Sequence, residues 1–143
     1  MATVNFQTNL IKKLPALACP EQDVDDLASV LADVNRGEFE ILPLKNQESH
    51  LVLRKLQQTI KQLQADDLLL VYYSGHGKPN KNNILHLTTI DTVINELEST
   101  AIPIHRVYEI IATGKAKKII IILDCCYSGA AGQGFRGDIT TTQ

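Results

Sequence analysis

Apolar and polar positions along the chain follow two different periods, and the changes between them mark the elements. From Asp23 onward the spacing is helical: Val24, Leu27, Leu31 and Val34 fall on one face, and Gly37 stands where a helix stops. Phe39, Ile41 and Leu42 predict a short strand ended by Pro43. A second helical stripe, Leu53, Leu56, Ile60 and Leu63, predicts an amphipathic helix from Ser49 to Gln64. The run Asp67-Leu-Leu-Leu-Val-Tyr-Tyr73 is continuously apolar, as in strands buried on both faces, and ends abruptly in Ser74-Gly-His-Gly77. Ile84 to Thr89 reads as a further strand. Pro103 opens another helix, with Ile104, Val107 and Ile111 facing inward and Gly114 as its stop. Lys117 and Lys118 then lead into the buried strand Ile119 to Leu123, which ends in Asp124-Cys-Cys-Tyr-Ser-Gly129. The remainder is Gly-rich and polar and reads as a loop. Before Asp23 the pattern is weak, and Pro15 and Pro20 mark a loop.

Helices alternating with buried strands predict an α/β fold, a mostly parallel sheet with helices on both faces. The length, 143 residues, suits one domain spanning 1–143. Within it, 1–13 is a weakly patterned N-terminal segment and 130–143 a flexible loop. The net charge of -2, with both signs interspersed, gives no reason to expect a nucleic-acid or membrane partner. No apolar run approaches a membrane span, and Met1 to Lys13 lacks the apolar core and cleavage site of a secretory signal. Three cysteines, two of them adjacent, do not read as a disulfide framework, so a reducing, cytoplasmic setting fits best.

In open α/β sheets, functional groups collect in the crevice beyond the carboxyl ends of the strands. Both unusual motifs stand there: His76 follows the strand at 67–73, and Cys126 follows the strand at 119–123. The 50 residues between them (126 − 76) suit a strand, a crossover helix and a neighbouring strand. An imidazole and a thiol can thus meet at two strand ends. A cysteine peptidase needs a thiolate, a proton-accepting imidazole and N–H donors for the developing oxyanion. The glycines beside His76 let the main chain approach a substrate closely. No third orienting residue declares itself, so the expected unit is a dyad.

Tyr73-Ser-Gly-His-Gly77 and Asp124-Cys-Cys-Tyr-Ser-Gly129 together resemble the two signature blocks of the caspase-like cysteine peptidases, in particular the metacaspase and prokaryotic caspase-homologue branch. The resemblance runs from about Leu14 to Gly132, the large-subunit region, and includes Thr100-Ala-Ile-Pro-Ile104. It implies the three-layer caspase-like fold. It also implies that Cys126 is the nucleophile, His76 the general base, and the N–H groups of Gly77 and Cys126 the oxyanion hole. Asp124 stands where true caspases carry glutamine and where metacaspases line the pocket for the residue before the scissile bond. Asp23 matches a second acidic pocket residue and Ser74 a pocket-lining serine. Such a pocket favours arginine or lysine, so the implied substrates are proteins or peptides cut after basic residues. Arg136, in Gly132-Gln-Gly-Phe-Arg-Gly137, lies where relatives are processed between subunits, and is a candidate self-cleavage site.

Two departures from the family pattern carry expectations. Met1 to Lys12 matches the family's apolar opening strand poorly, leaving that strand degenerate or absent. Relatives also continue into a small-subunit region with two more strands, which another chain would have to provide here.

Other readings stand beside these. Asp23 also occupies a position where a helix N-cap belongs, and Asp124 could cap a strand turn. Cys125 and Cys19 read as packing residues. His50, His86 and His105 lack metal-ligand spacing. The chemistry requires no cofactor and no metal. Metacaspases are often calcium-activated, and Asp91 and Asp138 are loose candidates for such a role without forming a dense acidic loop. The competing function is a catalytically incomplete caspase-like module that binds partners or regulates an active relative.

Overall fold

Strands β1 (Ala2–Gln7), β2 (Glu40–Lys45), β3 (Leu68–Pro79) and β6 (Lys118–Cys126) form a parallel sheet in the spatial order β2-β1-β3-β6. Two short strands, β4 (Leu85–Leu87) and β5 (Ile102–Pro103), extend it antiparallel from the far end of β3. The computed structural model describes residues 2–7, 20–33 and 39–126, and at 2–7, 20, 21, 23 and 126 the backbone. Helices α1 (Pro20–Ala32) and α2 (Ser49–Gln62) are the crossovers that join the first three strands. A short 3-10 turn at Ile94–Glu96 and the single-turn α3 (Leu97–Thr100) follow β4, and α4 (Ile104–Ala112) leads back to β6. The chain starts at β1, steps to β2, and recrosses to β3. The strand order therefore reverses between β1 and β3, where open α/β sheets place their sites.

The two faces of the sheet are covered differently. Leu69, Val71 and Tyr73 of β3 point into the larger core with Val52, Leu56 and Ile60 of α2 and Val107, Ile110 and Ile111 of α4. The alternate residues Leu70 and Tyr72 pack against Val24 of α1, with Leu27, Leu31 and Phe39 beside them. Burial on both faces accounts for the unbroken apolar run, because each residue of a central strand meets a helix on one side or the other. The three-layer α/β fold expected from the sequence is the fold observed.

Several local expectations change. β1 is present and central, although only Val4 and Phe6 are strongly apolar among Ala2 to Gln7. Its period-two pattern is too short to stand out against the flanking polar residues. β2 continues through Pro43, which pairs with Asn5. As the terminal strand in the order, β2 tolerates a residue without an N–H. α1 starts at Pro20, so Asp23 lies inside its first turn and not at the flanking cap position. β3 does not stop at Tyr73 and β6 does not stop at Leu123: each runs on through its unusual motif. β5 and the 3-10 turn had no sequence signal. The expected loop at 130–143 lies outside the described residues.

Candidate active site

β3 changes partners within its own length, and His76 stands at the change. From Leu68 to His76 its residues pair in parallel with Lys118 to Cys126. From Gly77 to Pro79 they pair antiparallel with Leu87 to Leu85. Among the described residues, His76 and Cys126 are the last partners of the parallel ladder. Adjacent strands lie about 4.8 Å apart, so the two backbones are neighbours. The 50-residue separation is closed by β4, β5, α4 and the return of β6 to the edge of β3.

The backbone of His76 is held by an unusual number of donors. Its carbonyl accepts from the Tyr73 hydroxyl at 2.7 Å, from the Thr88 N–H at 3.0 Å and from Thr88 Oγ1 at 3.0 Å. The Thr88 N–H is shared with the Tyr73 oxygen at 3.1 Å, and the single Tyr73 hydroxyl hydrogen is shared with the Thr88 carbonyl, also at 3.1 Å. Tyr73 and Thr88 are both fully buried. Burial pushes the Tyr73 phenol far above its ordinary range and keeps it a donor, while the hydrogen bonds with Thr88 pull the other way. Gly75 makes room for this arrangement. A Cβ there would stand 2.5 Å from the Tyr73 hydroxyl oxygen and 2.7 Å from the ring carbon bearing it. Neither Tyr73 nor Thr88 was singled out from the sequence. The signal available was local: an aromatic residue followed two positions later by glycine on the same face of a strand.

Gly77 is equally confined. A Cβ on it would meet Leu85 Cδ1 at 2.8 Å and Cys125 Sγ at 3.1 Å. Cys125 packs against the larger core, as expected for a packing cysteine.

The residues expected to form a pocket are distributed along one stretch of the sheet. Ser74 is buried and pairs with the exposed Asp124 across β3 and β6. The Tyr72 hydroxyl donates to Asp124 Oδ2 at 3.3 Å. Val24, next to Asp23, is buried against Leu70 and Tyr72, so the first turn of α1 lies over the same face. Arg136 and Asp138 lie outside the described residues. A cavity of about 820 Å³ opens beyond Gly77, lined by Lys78, Asn80, Lys81 and, opposite, Glu96 and Glu98.

Asp91 has a structural task. Its Oδ1 accepts from the Ser49 N–H at 2.9 Å and from Thr89 Oγ1 at 2.6 Å, and its Oδ2 from Ser49 Oγ at 2.9 Å. It thereby satisfies the start of α2, where Glu48 makes no side-chain cap. Among the described residues no group of three or more His, Cys, Asp or Glu could hold a metal ion. Among the same residues no helix is long and apolar enough to cross a membrane.

No curated protein matches the chain. The family profile of the caspase domain does, over residues 3–143. The match covers nearly the whole sequence and includes the strand β1 that looked degenerate. It agrees with the three-layer architecture and with a substrate class of proteins and peptides. By its sequence and its fold, then, the chain belongs to the caspase-domain family of cysteine peptidases.

Proposed function

We propose that the chain is an endopeptidase that cuts after arginine or lysine, with Cys126 as nucleophile and His76 as its base. The observation that carries this reading is the pairing of His76 with Cys126 as one rung of the ladder between β3 and β6. His76 takes the thiol proton, and the thiolate adds to the scissile carbonyl carbon. The carbonyl electron pair moves to oxygen, where the N–H groups of Gly77 and Cys126 stabilise it. Collapse expels the amine, which leaves with the proton held by His76, and a thioester remains. Water then gives a proton to His76, attacks the thioester and releases the acid, and the proton returns to the sulfur.

Asp124 supports the basic preference. Its carboxylate is exposed, accepts a hydrogen bond from Tyr72, and lies beside Ser74 on the sheet face that α1 packs against at Leu70 and Tyr72. An arginine fork or a lysine ammonium can pair with it there. The same preference makes Arg136 a substrate for self-cleavage.

Along β6, Ile119, Ile120 and Ile122 are about 40% exposed. Apolar side chains at that edge favour cover by a further segment, such as a small-subunit region. The alternative reading, a module without catalysis, rested on a degenerate first strand and on the need for that region. β1 removes the first motive.

Turnover of a fluorogenic arginine peptide tests the proposal. The wild-type protein is expected to hydrolyse it, Cys126→Ala to lose that activity, and Asp124→Ala to lower kcat/KM by about tenfold to a hundredfold. Equal turnover by wild type and Cys126→Ala would overturn the nucleophile, and an unchanged Asp124→Ala the pocket.

A further inference from the structure

We propose that Tyr72 is a positioning residue for the basic pocket: its hydroxyl fixes the plane of the Asp124 carboxylate and so ranks arginine above lysine. The inference rests on the reading of Asp124 as the pocket residue, which by itself leaves the two cations unranked.

The strand register sets the geometry. Tyr72 pairs with Ile122 and Ser74 with Asp124, so Tyr72 and Asp124 are diagonal neighbours on one face of adjacent strands. An aromatic side chain spans that diagonal, and the Tyr72 hydroxyl donates to Asp124 Oδ2 at 3.3 Å. The rung two positions further on is His76 with Cys126. At about 3.3 Å per residue, the backbone of Asp124 lies about 7 Å from that of the nucleophile.

The two partners differ in freedom. Asp124 is exposed, so its carboxylate can turn about its side-chain bonds. Tyr72 is 7% exposed and lies in the smaller core with Val24 and Leu70, so packing fixes where its hydroxyl stands. Hydroxyl and carboxylate normally meet at about 2.6 Å, so a longer contact orients more than it binds. Orientation matters unequally to the two cations. A guanidinium meets a carboxylate as a planar fork of two parallel hydrogen bonds and needs the carboxylate in that plane. An ammonium is a point charge with three rotatable donors and tolerates many orientations. A carboxylate offers about four acceptor positions, so the one that Tyr72 takes leaves room for the fork.

Tyr72→Phe removes the hydroxyl and keeps the ring, so the smaller core is retained. Wild type, Tyr72→Phe, Asp124→Ala and the double variant are compared with matched arginine and lysine peptides. Tyr72→Phe is expected to lower kcat/KM for arginine by about threefold to tenfold and for lysine by less than about twofold. General damage to the site would lower both alike, so the ratio separates orientation from structure. With Asp124 already replaced, Tyr72→Phe should not move the ratio further. An unchanged ratio in Tyr72→Phe, or an equal change without Asp124, would overturn the assignment, while a loss in Asp124→Ala would still keep the pocket. Unimpaired Asp124→Ala would sink the pocket reading and this inference with it. If wild type does not turn over, calorimetry of product peptides ending in arginine or lysine, on Cys126→Ala with and without Tyr72→Phe, gives the same ratio from Kd. A ratio that Tyr72→Phe leaves unchanged there, or no binding of either peptide, would refute it.

Discussion

Gly75 shows how much of this site depends on one absent methyl group. Tyr73 lies in the larger core with no exposed surface, so its ring has nowhere to move if a side chain appears two residues along the strand. Gly75→Ala is therefore expected to destabilise the fold by about 1–3 kcal/mol, the usual cost of overpacking. Adding Tyr73→Phe removes the atom nearest to the new methyl and should recover part of that loss, so the two changes are non-additive. Urea midpoints of the three variants measure this. An unchanged midpoint for Gly75→Ala would mean that the ring can shift freely. At this scale the sequence was legible wherever chemistry is carried by a motif: His76, Gly77, Asp124 and Cys126 stand out by type and spacing. Tyr73 and Thr88 did not, because a tyrosine inside an apolar run looks like core. The meeting of its hydroxyl with Thr88, fifteen positions away, depends on a hairpin that only the fold reveals.

At the scale of elements, the start of α2 is fastened from a distance. Asp91 lies 42 residues beyond Ser49, and its carboxylate does what a neighbouring cap would do. Partial burial alone would raise its pKa, but hydrogen bonds from Thr89 and Ser49 outweigh that and hold it below the ordinary carboxylate value. A group depressed in the folded state contributes stability above its unfolded pKa and loses that contribution as pH falls through the folded one. The wild-type urea midpoint should thus drop below about pH 4 more steeply than that of Asp91→Asn. Near neutral pH, Asp91→Ala should cost about 0.5–1 kcal/mol, a value kept small because the carboxylate is only part-buried. Identical pH dependence in wild type and Asp91→Asn would contradict this. The strands and helices themselves were mostly legible, since both buried runs and both amphipathic stripes appear where their periods predict. Their ends were not. Ser74-Gly-His-Gly77 has the composition of a turn, yet it continues β3 because β6 pairs with it on one side and β4 takes over from Gly77. Pro43 has the composition of a stop, yet an outer strand accommodates it.

For the whole molecule, the arrangement of strands matters more than any single motif. β1 and β3 are neighbours at the reversal of strand order, and β6 returns beside β3, which turns 50 residues of separation into one rung of a ladder. The sequence implied such a meeting but not its form, a strand paired with β6 up to His76 and with β4 from Gly77 among the described residues. The pH dependence of Cys126 alkylation, followed by peptide mapping in wild type and His76→Ala, tests the meeting most directly. With a partnered imidazole, wild-type Cys126 should react at its full rate well below the ordinary thiol pKa of about 8.5, and His76→Ala should move the profile up toward that value. Superimposable profiles for the two proteins would contradict the account.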